Sequence, residues 1–100
     1  MKKINETELK KILEQHKLWI ECGYTEKRAD LSDADLSGAN LDEAEMDRAN
    51  LFRANMSRSS LDMTHLADAF LVQANLTSAL LSRTWLYGAN LSRADLTSAM

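Results

Sequence analysis

RADLSDADLSGANLDEAEMDRANL, residues 28–51, decides the fold. Its large apolar residues Leu31, Leu36, Leu41, Met46 and Leu51 fall every five positions, and an alanine stands two places before each. The beat continues through Met56, Leu61, Leu66, Leu71, Leu76, Leu81, Leu86, Leu91 and Leu96. Of these fourteen centres twelve are Leu and two are Met, and the place two before is Ala except at Ser59, Thr64 and Thr84. An α-helix cannot hold this pattern on one face, because five residues advance it by about 500°. A long strand fails as well, since an odd period sends alternate leucines to opposite faces. Disorder is excluded by so regular and so apolar a series of centres.

One geometry satisfies the pattern. Residues two apart in a short extended piece point the same way. The other three residues of each unit then turn the chain, so that the next small–large pair also faces inward. The product is a coil with flat sides around a leucine core. Each buried Leu contributes about 1.5–3 kcal/mol, and the alanines are small because the interior leaves room for nothing larger.

At these residues the chain resembles the pentapeptide repeat family, whose unit reads A-(D/N)-L-x-x. The resemblance covers residues 29–100. It implies an all-β solenoid, a right-handed quadrilateral β-helix with four units to a coil and about 3.6 coils, preceded by one α-helix. Residues twenty apart then stack in four interior columns: Leu31, Leu51, Leu71 and Leu91; Leu36, Met56, Leu76 and Leu96; Leu41, Leu61 and Leu81; Met46, Leu66 and Leu86. The preceding ELKKILEQHKLWIECG, residues 8–23, looks like the helix that comes before RA(D/N)L in bacterial members.

That first segment has its own period. Leu9, Ile12, Leu13, His16, Trp19 and Ile20 follow one helix face. Asn5 and Glu8 fit a capping box, and Gly23 is placed to stop the helix. The spacing predicts a helix over about residues 6–22, and residues 1–28 as a capping unit that lays Leu9, Ile12, Leu13, Trp19 and Ile20 over the first coil. His16 is expected to pack, and His65, at an outward place, to be exposed.

Composition narrows the function. The net charge of −3 is mild, but it is divided: residues 1–28 carry seven Lys/Arg against five Glu, and residues 29–100 carry five Arg against ten acids. Seven acids crowd residues 29–48. Cys22 is the only cysteine, so no internal disulfide is expected and a cytoplasmic setting is the simpler expectation. The N-terminal lysines have no apolar run behind them, which predicts no signal peptide, and no stretch is long enough to suggest a membrane partner. The acids form no calcium loop, no nucleophile has an evident base, and no glycine-rich phosphate loop is present. The expectation is no enzyme, no metal and no cofactor. Asn40, Asn50, Asn55, Asn75 and Asn90, just before their centres, are expected to bond turn backbone rather than read nucleic acid.

The outward exceptions are apolar. Phe52, Phe70 and Val72 share one side of the four-sided coil, and Trp85 and Tyr87 lie on the adjoining one. Either they fold over the corners and pack locally, or they form a partner surface. At the other end Leu91, Leu96 and Met100 belong to a coil that nothing in the sequence covers, which predicts a homodimer joined there. Two functions follow. The first is a non-enzymatic structural or protein-interaction module with an unknown protein partner. The second, implied by the resemblance, is imitation of DNA: some family members bind DNA gyrase as acidic rods and confer quinolone resistance. Here Arg48, Arg53, Arg58, Arg83 and Arg93 interrupt the acidity that such imitation needs.

Overall fold

The computed structural model describes residues 2–22 and 28–100. Its elements in chain order are a strand β1 (Lys2–Lys3), a helix α1 (Glu6–Cys22) and a strand β2 (Ala34–Asp35), followed by the repeats. Gly23, read as the helix stop, and most of the connector lie outside the described residues. The first turn of α1 is acidic at Glu6 and Glu8, the sign that suits a helix N-terminus. Asn5 Oδ1 accepts the Glu8 N–H at 2.8 Å. The return arm of the box, from the Glu8 carboxylate, is not made among the described residues.

The repeats stack by single-residue parallel bridges, each between residues twenty apart: Asp30 with Asn50, Asn50 with Phe70, Phe70 with Asn90, and likewise on the other sides. Four five-residue units therefore make one coil. Named strand is almost absent, contrary to the plain expectation of an all-β body. The reason is local: each side has only five residues, and the turn takes three of them. Within a unit the amide two places before the next centre closes the turn, as Ala34 N–H does on Leu31 C=O at 3.1 Å. Between coils, Leu31 N–H donates to Asn50 C=O at 2.8 Å, Asn50 N–H to Ala29 C=O at 3.0 Å, and Asp33 N–H to Phe52 C=O at 2.9 Å.

Every turn also places the residue two after its centre at positive φ, from Asp33 (58°) to Ser98 (60°). A bonded turn with positive φ at its third residue is the type II pattern. Only Gly38 and Gly88 are glycines there. None of the other twelve is β-branched, the class most strained in that region. Where the residue before a centre is Asp or Asn, it supports the same turn: Asn50 Oδ1 accepts Phe52 N–H at 3.1 Å and Asn75 Oδ1 accepts Thr77 N–H at 2.9 Å.

The centres from Leu31 through Leu76 are buried, with Leu51, Leu61 and Leu71 at 0% exposure. The hydroxyls that replace alanine are satisfied inside: Ser59 Oγ donates to Met56 C=O, and Thr64 and Thr84 Oγ1 donate to the carbonyls of Leu41 and Leu61, each at 2.7 Å. The columns are not buried throughout. Leu81, Leu86 and Leu91 are half-buried and Leu96 is 42% exposed, because no coil lies over the last one.

Helix α1 closes the opposite end with three of the five residues expected. Leu9 enters the core, and Ile12 and Leu13 pack against it together with Ile4. Trp19 and Ile20 are only half-buried and do not join that cluster. Trp19 instead stacks on His16, ring centroids 5.4 Å apart, and the Arg48 guanidinium lies 5.8 Å from its ring.

Candidate functional site

Two regions of the molecule stand apart from the leucine and alanine core. The first is the aromatic edge. Stacking of the coils brings Phe52 beside Phe70, eighteen residues on, rings 5.9 Å apart and 28° from parallel. The twenty-residue step sets His65 under Trp85, rings 4.5 Å apart and within 5° of parallel. His65 is thus half-buried by a stacking partner, not exposed as its outward place suggested. Phe52 and Val72 are half-buried, and the Arg53 guanidinium lies 5.9 Å from the Phe52 ring while pairing with Asp33 at 3.3 Å. Local packing therefore explains that half of the edge. It does not explain Trp85, 60% exposed, or Tyr87, 85% exposed. Beside them the Asp68 carboxylate lies over Gly88, where an added Cβ would meet its Oδ1 at 2.1 Å. Glycine at that turn leaves room for the acid, and Asp68 makes no ion pair among the described residues.

The second region is the clamp between α1 and the first coil. His16 is fully buried. Its Nδ1 accepts Ala29 N–H at 2.9 Å, so Nε2 carries the proton and donates to Asp47 C=O at 2.6 Å. Burial pushes the His16 pKa down, with Arg28 and Arg48 adding to the effect against the Asp47 carbonyl and carboxylate. Sequence reading placed His16 on the apolar face but missed this pair of hydrogen bonds. Both partners are main-chain groups, which leave no trace in a sequence.

Chemistry of other kinds is sparse. Among the described residues no group of three His, Cys, Asp or Glu is arranged to hold a metal ion. Several aspartates serve turns instead: hydrogen bonds from the Ser32 hydroxyl and amide hold Asp30 below its usual pKa, and those from Ser37 and Thr97 do the same for Asp35 and Asp95. At the open end the amides of Leu86, Leu91 and Leu96 have no acceptor among the described residues, and Met100 is 78% exposed.

A family model described as pentapeptide repeats, in eight copies, matches residues 29–66, 57–93 and 74–100. Among solved structures the chain is similar to HetL, a pentapeptide repeat protein involved in heterocyst differentiation regulation from the cyanobacterium Nostoc sp. strain PCC 7120, at 40% identity and TM-score 0.55 over 73% of this chain. It is similar also to the pentapeptide repeat protein Rfr23 from the cyanobacterium Cyanothece 51142, at 30% identity and TM-score 0.63 over 76% of this chain. The chain spans 36% of the length of HetL and 62% of that of Rfr23. No curated protein matches it. The known structures of the family are right-handed quadrilateral β-helices. With the family pattern covering every residue from Ala29 to Met100, and with the twenty-residue ladder beneath it, the chain belongs to the pentapeptide repeat family.

Proposed function

We propose that the chain is a non-enzymatic protein-interaction module whose contact surface is the aromatic edge around Trp85 and Tyr87. The body is a right-handed four-sided rod of about 3.6 coils, capped by α1, that presents side chains on a fixed grid. The observation that carries the reading is the exposure of Trp85 and Tyr87, 60% and 85%, on a side whose backbone is bonded to the preceding coil through Trp85 N–H to Thr64 C=O and Asp68 N–H to Tyr87 C=O. Tyr and Trp are the side chains that most often dominate protein interfaces, and a backbone held by inter-coil bonds presents them at little ordering cost. The similarity to HetL, whose described involvement is regulatory, agrees with an interaction role. The open last coil, with Leu91, Leu96 and Met100, is the place for a like coil from a second copy.

Imitation of DNA before gyrase is the weaker reading. Arg53 pairs with Asp33 and Arg83 with Asp62, so two of the acids along the rod are neutralised and the arginines break up the acidic surface.

The test is site-specific crosslinking. A photoreactive side chain at Tyr87, and a control at Ser78 on the opposite side, are exposed to extract of the native cell. The reading expects a discrete protein adduct from position 87 and none from position 78. Identical adducts at both, or none at either, end it.

A further inference from the structure

The units centred on Met46, Leu66 and Leu86 form one side of the rod, and their outward places are filled unevenly. Just before the centres, Glu45, His65 and Trp85 stand in one column, and the indole rests one face on the His65 ring. Just after the centres stand Asp47, Ala67 and Tyr87. The Asp47 carboxylate is engaged below, accepting the Ala67 N–H at 2.9 Å. Ala67 is too short to stack on a ring, so a notch is left beneath Tyr87, whose ring has no aromatic neighbour among the described residues. Trp85 and Tyr87, two apart, point outward together. At the corner beyond them stand Arg48, Asp68 and Gly88.

The charges on this side are three acids, Glu45, Asp47 and Asp68, against one base, Arg48. Arg48 stands one coil from Asp68 and is its natural counter-ion. Its guanidinium instead lies 5.8 Å from the Trp19 ring of α1 and makes no ion pair among the described residues. Asp68 turns the other way. Its Oδ1 takes the space against Gly88 that any Cβ would need, beside Tyr87. The next nearest base in the chain, Arg83, is held by Asp62 at 2.9 Å.

We infer that this corner binds an arginine side chain of the protein partner, its guanidinium lying on the Tyr87 ring in the notch over Ala67 and pairing with the Asp68 carboxylate. The inference rests on the reading of the aromatic edge as a contact surface, and names what that surface recognises. Charge selects the class: an acidic segment or a nucleic acid is repelled by this side, and a basic one is drawn to it. The ring faces of Tyr and Trp attract a cation. Arginine suits the corner better than lysine, because a flat guanidinium lies on a ring and still directs N–H groups edgewise to a carboxylate. An apolar side chain could cover Tyr87, but it would strip water from Asp68 and give nothing in return.

The experiment is selection of randomised displayed heptapeptides on the immobilised whole chain, in parallel with Asp68→Asn, Tyr87→Ser and Asp33→Asn. Asparagine tolerates the positive φ of both aspartates, 57° at Asp68 and 58° at Asp33. Serine already fills the place of Tyr87 in other units, as Ser32, Ser37, Ser57, Ser82 and Ser92. Asp33→Asn makes the same change of net charge at another corner. The expected result is that peptides retained by the parent are enriched in arginine and that Asp33→Asn retains the same ones. Asp68→Asn and Tyr87→Ser bind the best of them at least about threefold more weakly. Peptides that depend on Tyr87 but lack arginine, or that bind Asp68→Asn unchanged, overturn the inference and leave the contact surface standing. Peptides indifferent to Tyr87→Ser, or no retained peptide at all, overturn both. Movement of the Trp85 indole and Gly88 amide NMR signals as the protein alone is concentrated identifies the occupant as a second copy, which also overturns the inference.

Discussion

At the residue scale, twelve side chains sit on backbone with φ between 54° and 64°, a conformation ordinary residues avoid. The cost is of order 1–3 kcal/mol for a residue poorly suited to it, and it is met because each turn also makes an inter-coil bond. Arg58 isolates the effect: its φ is 57°, its amide donates to Thr77 C=O at 2.9 Å, and its side chain makes no bond among the described residues. Arg58→Val lowers stability by about 1–2 kcal/mol through backbone strain, whereas Arg58→Gly changes it by less than about 0.5 kcal/mol, relief of strain offsetting the freedom glycine gains when unfolded. Thermal melts of the two variants check the order, a difference of 1 kcal/mol being about 4–8 °C in a domain of this size. The inward leucines and alanines are legible in the sequence because burial restricts their chemistry directly. The turn residues are legible only through what they lack, since arginine, aspartate, glutamine and serine share nothing but an unbranched β-carbon.

At the scale of elements, α1 is fastened to the repeats by apolar contact through Leu9 and by the two bonds of His16. Protonation puts a second proton on Nδ1, facing the Ala29 N–H, and the clamp then holds two donors against each other. Burial holds the His16 pKa in the folded chain below the ordinary imidazole value of 6.5, so the unfolded chain binds the proton more readily. The clamp's contribution is therefore complete above about pH 6.5 and falls away as the pH drops through the window below it, with a limiting slope of about 1.4 kcal/mol per pH unit. The Tm of the parent should fall between pH 7 and pH 5, and that of His16→Leu should start lower and lose this part of the slope. Equal slopes would show that the clamp carries no proton linkage. None of this was open to sequence reading, which saw a histidine on an apolar stripe and could not see the Asp47 carbonyl thirty-one positions away. Trp19 misled for a related reason: its spacing fits the inward face, yet the helix leans so that its ring covers His16 instead of the leucines.

For the whole molecule, burial is graded. A middle coil is bonded on both faces and its leucines are closed off, whereas Leu96 and the amides of the last coil are open. In a stack where each layer rests only on its neighbours, such an end is the first part to open. Hydrogen exchange should be slowest at the amides of Leu51 and Leu61 and fastest, among centres, at Leu86, Leu91 and Leu96. Leu51→Ala should cost about 2–5 kcal/mol and Leu96→Ala less than about 1 kcal/mol. A flat exchange profile across the coils would mean that another layer already covers the end. The grading could be foreseen because the repeat count is visible in the sequence.

The twenty-residue step has a consequence for how such a chain can change over generations. Duplicating or deleting one five-residue unit leaves every downstream leucine pointing inward, because the four columns accept the same residues. It also rotates all that follows by a quarter turn. A unit gained between Leu66 and Leu81 would carry Trp85 and Tyr87 to another side and separate Trp85 from His65, while Phe52 kept its place. The fold is indifferent to such edits and the surface is not, so the number of units acts as a four-position dial that can rewrite recognition without a single substitution.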